Sequence, residues 1–311
     1  MISLNFVAAR HLKKPSDFRC LCAQIFTGRF RDENLIDKLT EWLTQNIDIC
    51  KTDDLIAYLS MCAKCNVEKI PERLIDDIKK KIEIGKIADK QTSLEYVWSL
   101  AVLKKMDKAL GDRILNGDFV ESVCKQGTEH RNTITKLKIL NICAAMRYDL
   151  KIDSFKDYGK LEPFMDNLKI VPRKHKIAAI GTFLESLHLL APKETYVETS
   201  RISPLGYMID ARIYLSKENK PVPIADQNKD LSTIPTVFLV FDRADYTQLS
   251  YRLTGLNSMA VRHLTSSGFR VIQVSGAEFS KKATVIDRVN YVKLLIDNYS
   301  TSDLDALDAR S

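Results

Sequence analysis

The apolar period of this chain changes once, and that change limits the folds open to it. Up to about residue 190, apolar residues recur at three- and four-residue steps, the spacing of one helix face. From Ile202 onward they alternate with polar residues or run together in blocks of strand length, such as Thr236-Val-Phe-Leu-Val-Phe241. With 311 residues, the chain is also longer than one core usually organises. The expected class is α plus α/β. An N-terminal α-helical domain covers 1–195, a small α/β domain covers 200–300, and a polar disordered tail covers 301–311.

Within the helical region three segments, 17–26, 54–63 and 93–102, lie over one another. They open on Asp17, Asp54 and Ser93, residue types that cap helix N-termini. Matching columns hold Phe18, Leu55 and Leu94; Leu21, Tyr58 and Val97; Cys22, Leu59 and Trp98; and the small residues Ala23, Ser60 and Ser99. The register returns after 37 residues and again after 39, the range of helix-pair repeats. A weaker copy covers 135–148. Second helices are expected over 32–46, over 71–83 with Pro71 in the first turn, and over 110–124. Stacked pairs make a solenoid-like repeat with a concave binding face; the alternative is a non-repetitive bundle.

Residues 150–200 are transitional, broken by Pro163, Pro172 and Pro192, with one amphipathic helix over 174–190. A strand over 207–215, a turn over 217–221, a short return strand over 221–225 and a loop over 228–235 follow. A buried strand over 236–241, a helix over 258–267 stopped by Gly268, a strand over 269–274 and a closing helix over 283–298 complete the pattern. Strand, helix, strand and helix in this order imply a parallel pair of strands flanked by helices.

Four stretches of this second region are similar in order and spacing to a RAP domain. They are Gly206-Tyr-Met-Ile-Asp210, Val237-Phe-Leu-Val-Phe-Asp242, the run from Met259 through Arg262-His-Leu264 to Gly268-Phe-Arg-Val-Ile272, and Tyr291-Val-Lys-Leu-Leu295. Leu94-Glu-Tyr-Val-Trp-Ser-Leu-Ala-Val-Leu103, with Phe119-Val-Glu121 after it, resembles the helical region that precedes this domain in the FAST kinase-domain family of mitochondrial RNA-binding proteins. The resemblance spans about residues 90 to 298. It implies a restriction-endonuclease-like fold for the RAP-like module and residence in the mitochondrial matrix. It also implies single-stranded mitochondrial RNA as ligand, RNA-processing proteins as further partners, and a role in transcript processing or mRNA stability. Family members carry more sequence in front, so this chain is expected to be short at its N-terminus. The basic start (Arg10, Lys13, Lys14, Arg19) reads either as part of a targeting segment or as a helix with a solvated basic face.

Nucleases of that fold hold Mg²⁺ with clustered carboxylates and use a lysine on the attacking water. Asp210 and Asp242 stand at strand positions suited to this, and Glu185 on the preceding helix is a third candidate. The lysine is missing: Arg243 and Ala244 follow Asp242, and Gln273-Val-Ser275 lacks one too. Some RAP domains show Asp-Gly-x-x-His here, where this chain has Tyr246 in place of the histidine. The expectation is therefore a binding protein that is not an enzyme, with no cofactor and no metal; Mg²⁺ enters only under the endoribonuclease alternative. Kinase chemistry is excluded more firmly, because no Gly-rich phosphate loop, His-Arg-Asp or Asp-Phe-Gly is present.

Candidates for RNA contact are Arg243, Tyr246, Tyr251 and Arg252 in one loop, Arg262 and His263 on a helix, and the basic pairs Lys104, Lys105 and Arg173, Lys174. Lys79-Lys-Lys81 and the rest of Arg173-Lys-His-Lys176 are further basic clusters, and for any single basic cluster, Lys104-Lys105 included, a solvated face is the reading favoured over RNA contact. The net charge of +7 permits phosphate contact without demanding it. Seven cysteines, an odd number at irregular spacing, read as reduced core thiols, and the lone Cys62-Ala-Lys-Cys65 as core packing. No apolar run approaches a membrane span, so no membrane partner is expected. A helical-repeat scaffold for proteins is the other alternative.

Overall fold

A computed structural model describes residues 12–82, 87, 89–124, 128–152, 168, 170, 173–191, 195–227 and 232–299. Pro163, Pro172, Pro192, the start at Arg10 and the tail over 301–311 lie outside the described residues. The chain forms two compact units: Met1–Lys160 with Tyr246–Met259, and Leu161–Asp245 with Ala260–Ser311.

The first unit is helical. It contains α1 (Pro15–Gly28), α2 (Glu33–Asn46), α3 (Thr52–Cys65), α4 (Glu72–Lys81), α5 (Lys90–Val102), α6 (Lys108–Ile114), α7 (Gly117–Cys124) and α8 (Glu129–Tyr148). Helix α1 packs on α3, α3 on α5 and α5 on α8. The first three superposed columns, from Phe18/Leu55/Leu94 to Cys22/Leu59/Trp98, are buried in all three helices. In the small column Ser60 and Ser99 meet directly, Oγ to Oγ at 3.3 Å. Phe18 stacks on Trp42, with centroids 4.8 Å apart, and on Tyr58 at 6.1 Å.

The expected caps sit one turn inside their helices. Helix α3 starts at Thr52, and Asp54 reaches back to accept from the Lys51 backbone N–H at 2.9 Å. Helix α5 starts at Lys90 under the cap of Asp89, which accepts from the Thr92 N–H at 2.9 Å. Carboxylates favour either position, because both lie at the positive end of the helix dipole. The single helix expected over 110–124 is two helices. Asn116 Oδ1 accepts from the Asp118 N–H at 3.0 Å, a local turn that competes with the helix, and Gly117 follows it.

Lysines and arginines tie successive helices together. Arg31, buried, donates to the carbonyls of Cys65 (3.2 Å) and Asn66, where α3 ends in the left-handed Asn66. Lys81 donates to the carbonyls of Ile47 and Asp48, both at 2.6 Å. Lys105 pairs with Glu72, Lys138 with Glu95, and Lys79 with Asp107 at 3.1 Å.

The segment Tyr246–Met259 belongs to this unit. The Gln248 N–H donates to Arg29 O at 2.7 Å and Gln248 O accepts from Arg31 N–H at 3.1 Å, one rung of parallel pairing beside Phe30. Gly255 lies so close to α3 that a Cβ there would be 1.9 Å from the Ala63 carbonyl oxygen.

The second unit carries α9 (Lys174–Leu190), β1 (Glu198–Ile202), β2 (Met208–Leu215), β3 (Pro221–Val222), β4 (Ile234–Phe241), β5 (Arg270–Ser275), α11 (Gly276–Ser280) and α12 (Val285–Asp297). Helix α10 (Gly255–Ser266) spans the division between the units. The five-stranded sheet runs β1-β2-β4-β5, with β3 on β2. Strands β4 and β5 are parallel and the other pairs antiparallel. Alternate residues Ala211, Ile213 and Leu215, Phe238 and Val240, and Ile272 and Val274 form one face. Phe183 and Leu187 of α9 and Val292 and Ile296 of α12 share their core. Strand β1 was not visible in the apolar pattern because Glu-Thr-Ser-Arg-Ile has none. It is an edge strand held by Glu198, which pairs with Arg212 directly across the ladder and with Arg201 at 2.9 Å.

Candidate functional site

Three carboxylates of the second unit gather beside the sheet. Asp210 lies in β2, Asp242 follows β4, and Asp245 closes the turn after it. Asp210 is 2% exposed and its Oδ2 accepts from the Val240 N–H at 2.7 Å. The turn is built from its own carboxylates: Asp245 Oδ2 accepts from the Asp242 N–H at 3.0 Å, and Asp242 Oδ1 from the Ala244 N–H at 2.7 Å.

Two cations from the start of α9 meet this group. Arg173 donates from one nitrogen to Asp242 Oδ1 at 2.9 Å and to Asp245 Oδ1 at 2.8 Å. Lys176 Nζ stands 3.5 Å from Asp245 Oδ2 and 3.9 Å from Asp210 Oδ2, and 5.8 Å from the centre of the Phe241 ring. Arg173 is the N-cap of α9 and Lys176 lies in its first turn, so both stand at the same end of the helix. Burial pushes the Asp210 carboxyl up to about 6. Lys176 and the Val240 N–H pull it back, and Asp245 adds to the rise.

The lysine absent from the chain after Asp242 is thus matched in space by Lys176, from a different element. Its chemistry here is that of a counter-ion. The oxygens facing the cluster are engaged by Arg173, Lys176 and backbone N–H groups. Among the described residues no set of three or more His, Cys, Asp or Glu is arranged to hold a metal ion. A resident Mg²⁺ would have to displace these partners, so the donor set does not fit one as it stands. Glu185 is exposed on α9, nine residues or roughly 13 Å along the axis from Lys176, and is not brought to the group.

The candidates for RNA contact fall in different surroundings. Tyr251 is 70% exposed, whereas Tyr246 is half-buried and bridges to Leu253. Arg252 is half-exposed beside Glu68 at 3.6 Å, and Arg243 is exposed. Lys104 is exposed in a left-handed conformation (φ 56°), Lys105 pairs with Glu72, Lys174 is exposed, and Arg262 is partly buried. His263 is 0% exposed, and its Nδ1 shares a 2.7 Å hydrogen bond with the Tyr207 hydroxyl. The reading of His263 as a residue facing RNA is corrected by this burial: its spacing from Met259, Ala260 and Leu264 sets it on the apolar side of α10. Sequence reasoning missed Asp245 and the pairing role of Lys176. The available signals were the Asp-x-x-Asp turn at 242–245 and the Arg-x-x-Lys spacing at 173–176.

No known family profile matches the chain. It is 25% identical over 224 residues to FAST kinase domain-containing protein 2, mitochondrial, of Pongo abelii. The match covers 70% of this chain and 30% of that protein, so the chain spans less than a third of the relative's length.

Proposed function

We propose that this chain is a mitochondrial RNA-binding protein of the FAST kinase-domain type. In this reading its helices form a repeat solenoid and its sheet unit is a RAP-like module. It acts in the matrix on single-stranded transcripts, regulating their processing or stability without cutting them. The observation that carries the proposal is the distant similarity, over 70% of the chain, to a protein named for that family and compartment. The strand order and the placement of Asp210 and Asp242 accord with it. Between binding and cutting, the clasp of Arg173 and Lys176 on Asp210, Asp242 and Asp245 favours binding, because the carboxylates already have cationic partners.

The test is a gel with end-labelled single-stranded RNA of mitochondrial transcripts, with and without Mg²⁺, over a salt series. Binding that weakens with salt, with a slope of about −0.7 per phosphate contacted, and leaves the RNA whole is the expected result. Fragments that need Mg²⁺ and disappear in Asp242→Ala would establish the nuclease instead. Neither shift nor fragments would leave a protein scaffold as the function.

A further inference from the structure

The loop between β4 and α10 forms a small hairpin seated on the helical unit. Its base is closed by the Thr247 N–H donating to Arg252 O at 2.7 Å, the Arg252 N–H donating to Thr247 Oγ1 at 3.2 Å, and the antiparallel bridge from Tyr246 to Leu253. Thr247 Oγ1 also lies 3.0 Å from Ser250 Oγ. The Gln248 backbone is held between Arg29 and Arg31.

At the tip, Leu249 (φ 77°) and Tyr251 (φ 50°) both take the left-handed conformation. Side chains other than Gly and Asn adopt it at a cost, and such strain concentrates where a fold positions a residue for use. Burial does not compensate the strain here: Leu249 is 42% and Tyr251 70% exposed. A large aromatic ring is therefore presented to solvent on a closed hairpin. Next to it stands Arg252, whose partner Glu68 is itself half-exposed, a contact that a phosphate exchanges at little cost.

From this we infer that the hairpin tip is a nucleobase-stacking site for single-stranded RNA, with the Tyr251 ring as the platform and Arg252 as the phosphate contact. The inference rests on the RNA-binding reading proposed above and assigns it a place. An unpaired base offers the flat π-face that an exposed phenol stacks on, and a guanidinium one residue away matches the charge of the adjoining backbone. In a duplex the base faces already stack on one another, so the tip selects single strands.

The test uses the full chain and a short single-stranded RNA carrying a fluorescent adenine analogue, read by anisotropy and by quenching of the analogue. Tyr251→Ala is expected to weaken binding about five- to 150-fold and to abolish the quenching, whereas Tyr251→Phe stays within about twofold. Tyr251→Gly separates function from folding: glycine takes the left-handed conformation freely, so this variant stays folded while losing affinity like the alanine variant. RNA binding by the parent that Tyr251→Ala and Tyr251→Gly leave unchanged would overturn the inference, spare the RNA-binding reading and leave the tip to a protein partner. Equal affinity for a duplex of the same sequence would also overturn it. A parent chain that binds no RNA would remove both.

Discussion

Asp210 offers a direct measurement of what the charge cluster costs the fold. Its carboxyl is moved from an ordinary 3.8 to about 6, with burial outweighing the help of Lys176 and the Val240 N–H. At about 1.4 kcal/mol per pH unit, this is on the order of 3 kcal/mol. Below about pH 4 both the folded and the unfolded chain hold the proton, and Asp210 is neutral in the balance. As pH rises the unfolded chain loses its proton first, so the folded state loses stability between about pH 4 and pH 6, and the loss is constant above that. Asp210→Asn removes the titration while its side-chain oxygen can still accept from the Val240 N–H. The stability of the variant relative to the parent should therefore climb by about 3 kcal/mol between about pH 4 and pH 7. A new amide N–H facing Lys176 adds an offset that does not vary with pH, so the slope is the diagnostic quantity. Both tryptophans, Trp42 and Trp98, lie in the helical unit, so neither reports directly on the sheet unit. Urea unfolding followed by hydrogen exchange in peptides of β4 does. Parallel pH curves for parent and variant would refute the reasoning that burial dominates, and a slope of opposite sign would mean that Lys176 dominates instead.

Three further outcomes are expected. Arg31→Ala leaves the Cys65 and Asn66 carbonyls without their guanidinium and should cost about 2–4 kcal/mol in urea unfolding followed by tryptophan fluorescence; a change under about 0.5 kcal/mol would show that the contact is dispensable. Gly255→Ala forces a Cβ against Ala63 O and should speed hydrogen exchange across 246–259 while leaving β2 and β4 unchanged, at a cost of about 1–3 kcal/mol. Tyr207→Phe deprives buried His263 Nδ1 of its hydroxyl partner and should lower stability by about 1–3 kcal/mol with RNA affinity intact. Lost affinity at unchanged stability in that variant would return His263 to the RNA contacts.

What could be read from the chain was whatever burial writes into a period. Leu55, Tyr58, Leu59 and Cys62 repeat at helical spacing because α3 is buried between α1 and α5, and 237–241 is continuously apolar because β4 is buried on both faces. Strand β1 escaped because an edge strand stabilised by Glu198 and Arg212 needs no apolar alternation. The break between α6 and α7 was written in Asn116-Gly117 but hidden under a helical pattern that continues across it. At the site, Asp210 was legible as a carboxylate on a strand and Asp242 as one that ends a strand. Their relation to Lys176 was not, because a separation of 34 residues from Asp210 is closed only by the docking of α9 on the sheet. His263 was misread because a polar side chain on an apolar face looks in sequence like an exposed one.

The seat of Tyr246–Met259 on the helical unit has a consequence for the order in which the molecule is made. Helices α1 to α8 meet their neighbours within a few tens of residues, so their contacts are local and form quickly as the chain emerges. The strand rung at Gln248 and the close approach at Gly255 come from about 100 residues beyond the end of α8 at Tyr148. Synthesis must pass through β2 and β4 before that part arrives. The helical unit is therefore the first to begin folding and cannot be finished until the ribosome has passed residue 259. Until then the Arg29 carbonyl and the Arg31 amide wait without their strand partner, an open edge that a chaperone or a second nascent chain can pair with.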